Sequence, residues 1–261
     1  MYARVVVGTD GSDRSLAARP VGEAAAAAFG CPLELLHVPA DEDPTRLDTA
    51  GMTVRPASAP AVGLIEHASE THPPGLLCLS TRGRGAVGES VFGSVTAQVI
   101  RTLHAPLLIV GPALSTTSQP WRRLLVCLDG SATSASILPV VRQWAGELDL
   151  EVHLLHIAYP LGDPRIGDFQ VPEETRTATA QLRAATAMLQ DAGIAARWSV
   201  EEHTQVAAGI VGQATSRTAD LIALATHGRT GLARILAGNV ALETVRRATI
   251  PVLTLRPEDL H

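Results

Sequence analysis

Cysteine is scarce: three in 261 residues, at positions 31, 78 and 127. They are too few and too scattered for a disulfide framework or a zinc site, and they read as reduced, packed thiols in a cytoplasmic protein. Basic charge is also lacking. Lys and Arg number 21 against 26 Asp and Glu, for a net charge of −5, so nothing suggests a nucleic-acid-binding surface. No long hydrophobic run is present. The alanine stretch Ala24–Ala28, beside Glu23, falls far short of the roughly 20 apolar residues that span a bilayer. The first ten residues pass straight into an apolar strand without the layout of a secretory signal. Neither a membrane nor a nucleic acid is therefore expected as a partner. What the chain does have is apolar residue, 46% against 18% charged, which is the balance of a folded globular protein. Its length favours two domains.

Short β-branched or aliphatic runs alternate with helical patterns. Val5–Gly8 reads as a strand, Thr9-Asp10-Gly11-Ser12 as a turn, and one long alanine-rich helix follows to about Phe29. Leu33–Val38 is a second strand, Met52–Arg55 a short third, Pro60–Thr71 a helix and Leu76–Ser80 a fourth strand. A glycine loop, a helix from Ser94 and a fifth strand from Pro106 complete the half. Such alternation implies βαβ units and a parallel sheet with right-handed crossovers.

After a polar, proline-bounded linker, Gly111 to Pro120, the pattern restarts. Arg123–Ser131 repeats Arg4–Ser12, so Asp129 answers Asp10, and His156 answers His37 at the same offset of 119. Further on, Gly228 answers Gly83, Gly238 answers Gly93 and Pro251 answers Pro106, all at an offset of 145. The halves are a duplication. The second carries 26 more residues between its second strand and its glycine loop. Most belong to a segment from Glu173 to Ala192 rich in strong helix formers and stopped by Gly193. The first half has only a polar loop there, so one side of its sheet should be less covered. The expected domains are 1–111, shortened, and 121–261.

The glycine loops carry the chemistry. The first reads Ser80-Thr81-Arg82-Gly83, nine residues, Gly93-Ser94-Val95-Thr96. The second reads Ala225-Thr226-His227-Gly228, nine residues, Gly238-Asn239-Val240-Ala241. Glycine lets main-chain N–H groups approach a ligand, and a helix start presents unpaired N–H groups to an anion, so a strand–glycine loop–helix unit is a phosphate cradle in outline. This pattern resembles that of the universal stress protein family, whose nucleotide-binding members carry Gly-x2-Gly-x9-Gly-Ser/Thr here. The resemblance extends over both copies, through the strand–Asp-Gly-Ser starts, the His-Val/Ile strand ends and the closing Pro-Val-Leu strands. It implies two tandem doubly wound five-stranded parallel sheets of strand order 3-2-1-4-5, the first copy lacking the long helix after strand two. It also implies an intramolecular pseudo-dimer through the last strands, 107–110 and 252–255, and leaves a homodimer open.

By resemblance, adenine nucleotide, as ATP with or without magnesium, is held in the first copy by Thr9, Asp10, Val38, Gly83, Arg84, Gly93, Ser94 and Val95. In the second copy the corresponding residues are Asp129, Ile157, Gly228, Arg229, Gly238, Asn239 and Val240. The plainer readings stand beside these. Asp10 and Asp129 suit a helix cap, Val38 and Ile157 suit a core, and Arg84 and Arg229 suit solvent. The first family glycine is Ser80 in one copy and Ala225 in the other, each adding a Cβ. No nucleophile–base pair is evident, and the His-x-Gly-His motif of related nucleotidyl-transfer folds is absent. His153 and His156, three apart on a strand, point to opposite faces and make no metal pair. The reading favours a non-enzymatic ATP-binding protein of stress response. The alternatives are a ligand-free structural and dimerisation module, or a slow ATPase.

Overall fold

The computed structural model describes residues 1–39, 51–81, 93–115, 120–160, 172–226 and 240–257. Two compact units emerge, one of Met1–Pro120 with Ala248–Arg256, the other built from Trp121–Arg247.

The first unit holds β1 (Val5–Gly8), β2 (Leu33–His37), β3 (Thr53–Val54), β4 (Leu76–Ser80) and β5 (Leu107–Val110). They run parallel in the order β3-β2-β1-β4-β5. Central β1 pairs Val5 with Leu33 on one side and with Leu76 on the other. A central parallel strand is buried on both faces, which is why it reads as an unbroken apolar run; all four of its residues are buried. The chain's last strand, β10 (Val252–Leu255), lies antiparallel to β5, with Val252 opposite Ile109 and Leu253 opposite Leu108. The expected meeting of the two closing strands is thus present as a ladder.

The second unit holds β6 (Arg123–Cys127), β7 (Glu151–Ala158), β8 (Ala196–Glu202) and β9 (Leu221–Ala225), parallel in the order β9-β6-β7-β8. This repeats the 3-2-1-4 order of the first copy. Both copies are doubly wound α/β sheets.

One expectation fails, and the second unit repeats the arrangement that replaces it. The single helix after the first strand is two helices, α1 (Asp13–Leu16) and α2 (Arg19–Phe29), matched in the second unit by α5 (Ala132–Ala135) and α6 (Leu138–Leu148). Pro20 and Pro139 open the second helix of each pair. Proline has no N–H to continue the ladder and its ring clashes with the carbonyl four residues back, so the axis must restart there. The other helices are α3 (Pro60–Ser69) and α4 (Ser94–Thr102) in the first unit, and α7 (Glu173–Asp191), α8 (Val206–Ser216) and α9 (Val240–Arg247) in the second. On α9, Arg246 and Arg247 both pair with Glu243, and the Arg246 hydrogen bonds draw that carboxyl down to about 2. The two cations suit the helix C-terminus and each other's shared partner.

The crossover helix distinguishes the copies. Between β2 and β3 lie 15 residues, too few for a helix the length of the 19-residue α7. Residues 40–50 within that stretch lie outside the described ones. The consequence shows on the sheet. Val152 and Leu154 are buried in β7, which α7 covers, whereas their counterparts Leu33 and Leu35 in β2 are only half-buried.

Candidate functional site

The strand order reverses between β1 and β4 in one unit and between β6 and β9 in the other. Crevices at the carboxyl ends of such strands are where ligands of doubly wound sheets bind. In the first unit Gly8 pairs with Leu36 on one side and Leu79 on the other, so Thr9-Asp10, Val38 and Ser80 all emerge at that end.

The turn after β1 is built from its own side chains. Asp10 Oδ1 accepts from the Ser12 N–H at 3.0 Å and from the Ser12 hydroxyl at 2.6 Å. Ser12 then caps α1 by accepting from the Ser15 N–H. Gly11 sits at φ 75°, the left-handed region that favours glycine. Its N–H donates to Thr9 Oγ1 at 3.0 Å, and Thr9 Oγ1 lies 2.7 Å from the Ser15 hydroxyl. Behind the turn, the His37 Nδ1–H donates to the Thr9 carbonyl at 2.8 Å.

The second turn repeats this frame. Asp129 Oδ1 accepts from the Ser131 N–H at 2.9 Å and its hydroxyl at 2.5 Å, Ser131 caps α5, and the His156 Nδ1–H donates to the Leu128 carbonyl at 3.0 Å. Each aspartate thus braces the serine that caps the next helix. The two histidines pack, tying strand two to the turn. At the position of Thr9, however, the second copy has Leu128. The Gly130 N–H donates instead to Gln181 Oε1 on α7, at 3.0 Å.

Val38 and Ile157 point into the core. Both are buried, and each lies against a helix glycine. A Cβ on Gly63 of α3 would come 2.8 Å from Val38 Cγ1, and one on Gly209 of α8 would come 3.2 Å from Ile157 Cδ1. The aliphatic residue at the end of strand two is what these helices close upon.

The first glycine loop is pinned at both ends. The Thr81 N–H donates to the Val110 carbonyl at 3.0 Å, the Gly93 N–H to the Thr81 carbonyl at 2.6 Å, and the Thr96 hydroxyl to the Ser80 carbonyl at 2.7 Å. Gly93 thus stands beside the end of β4 as the N-cap of α4, with no side-chain cap bond. Ser94, exposed, and Val95 are the first two residues of α4. In the second unit Ala225 ends β9 and Val240 opens α9, partly exposed. Gly83, Arg84, Gly228, Arg229, Gly238 and Asn239 lie outside the described residues.

Other chemistry is accounted for. His153 Nε2 lies 2.9 Å from the Ser199 hydroxyl, and burial, aided by the cation of Arg217, pushes its pKa down to about 4. Burial pushes the thiols of Cys78, fully packed, and of the half-buried Cys127 up to about 12. Among the described residues no cluster could hold a metal ion and no helix is long and apolar enough to cross a membrane. Sequence reasoning missed Ser15, Ser134 and Gln181. The two serines share the 119 offset and were findable on that ground. Gln181 has no counterpart in the first copy and gave no signal.

Comparison with known proteins bears on both copies. The sequence model of the universal stress protein family matches residues 1–73 and 120–256. The match leaves out 74–119, the stretch holding β4, α4, β5 and the first glycine loop. A universal stress protein of Methanocaldococcus jannaschii is 30% identical over 144 residues, covering 52% of this chain and 82% of that protein. One of Mycolicibacterium smegmatis is 26% identical over 184 residues, covering 70% of this chain and 62% of the relative's length. Among solved structures, a universal stress protein from Archaeoglobus fulgidus superimposes with a TM-score of 0.69 at 18% identity, over 100% of this chain and 99% of that one. At that identity the likeness is one of fold.

Proposed function

The chain belongs to the universal stress protein family, and on that premise we propose that it is a non-enzymatic adenine-nucleotide-binding protein of stress response, with ATP as its ligand. The observation that carries this reading is the first unit's switch point, where the Asp10 turn and the N-terminus of α4 stand at the ends of the neighbouring strands β1 and β4. The α4 terminus is capped by Gly93, whose lack of a Cβ leaves the first N–H groups approachable, with the exposed Ser94 hydroxyl beside them. Unpaired N–H groups and the helix dipole favour an anion there. Asp10 and its copy Asp129 would hold the sugar or base end, while the glycine loops with Arg84 and Arg229 would hold the phosphates and any accompanying magnesium. Domains of 1–111 and 121–261, a cytoplasmic location and self-association belong to the same reading.

Nucleotide occupancy acts by shifting a conformational equilibrium, and only to the extent that ATP distinguishes the two states. The test is direct. Purified protein is denatured and assayed for released adenine nucleotide, and the nucleotide-free protein is titrated with ATP by calorimetry. Co-purified nucleotide or a saturable heat is expected. Neither, at millimolar ATP, removes the binding reading. It would leave a ligand-free module, which one observation favours: Asp10 and Asp129 already spend an oxygen each on capping the turn.

A further inference from the structure

The two Asp turns share the same Asp–Ser frame, but the oxygen that completes it comes from a different part of the chain in the second copy. In the first copy a single oxygen, Thr9 Oγ1, accepts the Gly11 N–H at 3.0 Å and lies 2.7 Å from the Ser15 hydroxyl. In the second copy the corresponding groups are the Gly130 N–H and the Ser134 hydroxyl. Both face a single oxygen again, Gln181 Oε1, at 3.0 and 3.3 Å. The same amide then donates its Nε2–H to the Ser131 carbonyl at 2.8 Å. Gln181 thus does for the second turn what Thr9 does for the first, and adds a bond. It does so from α7, the helix that the first copy has no room for. The contact is close along its length: a Cβ on Gly130 would lie 2.9 Å from the Ala178 main-chain nitrogen.

We propose that Gln181 is the positioning residue of the second copy's ligand site. It holds the Asp129 turn in the geometry that Thr9 gives the Asp10 turn, and so ties occupancy of that site to α7. This rests on the nucleotide reading for the ligand but not for the geometry. A ligand that favours the ordered turn must, by linkage, also favour docked α7, and a change in α7 must alter affinity at the second site alone. In the first copy the same oxygen comes from Thr9, beside the turn itself.

The experiment uses the full chain and amide hydrogen exchange resolved at Gly11, Gly130 and α7, with and without ATP. Gln181→Leu keeps the bulk of the side chain and removes all three polar contacts. It is expected to speed exchange at Gly130 about tenfold, leave Gly11 unchanged, and leave α7 helical. Adding Leu128→Thr to that variant places at 128 the residue that serves at 9, and is expected to return Gly130 towards its original rate. In the wild type, ATP slows exchange in the first turns of α7. In the doubly substituted protein ATP binds with the turn restored but no longer protects α7. Unchanged exchange at Gly130 in Gln181→Leu, or no recovery with Leu128→Thr in a folded protein, overturns the proposal. Protection of α7 by ATP in the doubly substituted protein overturns the coupling. If ATP changes nothing in the wild type, the nucleotide reading fails, and the ligand-free exchange decides the role of Gln181 by itself.

Discussion

Replacing Thr244 by valine is expected to stabilise the protein. Thr244 lies on α9 and is fully buried, yet among the described residues its hydroxyl has no hydrogen-bond partner. At the offset of 145 its counterpart in the first copy is Val99 on α4, also fully buried. The fold has therefore already placed an isosteric methyl at this point of the other sheet. An unsatisfied buried polar group costs about 1–3 kcal/mol, and a newly buried methyl contributes up to about 0.8 kcal/mol. Threonine and valine have similar helix propensities, so the helix itself is indifferent to the change. Part of the gain is lost to imperfect packing of the new methyl. A net stabilisation of about 1–2 kcal/mol follows, and with it a rise in Tm of about 3–6 °C for a unit of this size. Urea unfolding followed by tryptophan fluorescence is a suitable assay, because Trp121, Trp144 and Trp198 all lie in the second unit. The midpoint should move up with the slope unchanged. A midpoint that falls, or that stays within error, would refute the reasoning by showing that the hydroxyl is satisfied in the folded state.

Three further outcomes follow from the same geometry. Gly130→Ala forces a side chain into a positive φ of 84° and brings its Cβ within 2.9 Å of the Ala178 main-chain nitrogen on α7. It should lose about 3 kcal/mol, read by denaturant unfolding of the second unit. His153 has a folded pKa lowered to about 4 against an ordinary 6.5, so the unfolded chain binds the proton more readily. Its contribution to stability is full above about pH 6.5 and is lost as pH falls towards 4; His153→Gln should flatten the unfolding midpoint across that window, and an unchanged slope would count against it. Cys78, buried and with its thiol at about 12, should resist alkylation in the native protein at pH 8 and react only on unfolding, as mass spectrometry of the labelled chain would show.

The fold was legible because its strands are of the kind that announce themselves. Val5-Val6-Val7 and Leu76-Leu77-Cys78-Leu79 are buried on both faces, and a strand with no solvent side needs no alternation. The duplication then supplied a second reading of each element, and the pairing of β5 with β10 fits the expected meeting of the closing strands. The break between α1 and α2 was misread because the alanine run outweighed Pro20, although the same proline recurs as Pro139. In the site, the Asp–Ser turns were visible as repeated motifs, but what their carboxylates do was not. Capping the next helix and holding a ligand call for the same residue in the same place. Val38 and Ile157 are buried against Gly63 and Gly209, whose missing Cβ lets the helix close over them, and a buried aliphatic side chain suits a core and the wall of an adenine pocket alike.

The differences between the copies follow a rule rather than a drift. In the first copy the Gly11 N–H and the Ser15 hydroxyl meet Thr9 Oγ1, no more than six residues away. In the second, Leu128 stands at the position of Thr9 and the oxygen is supplied from 51 residues away. Leucine at 128 is buried, so the second copy gains apolar burial at the strand end and delegates the polar work to α7. That exchange is possible only where the helix exists. It follows that the two turns, equal in fold, are unequal in what completes them. The first takes its oxygen from Thr9, beside the turn itself. The second takes it from Gln181 of α7. Should both copies take the ligand proposed above, a change in α7 would act on the second turn and leave the Thr9 contact of the first as it is.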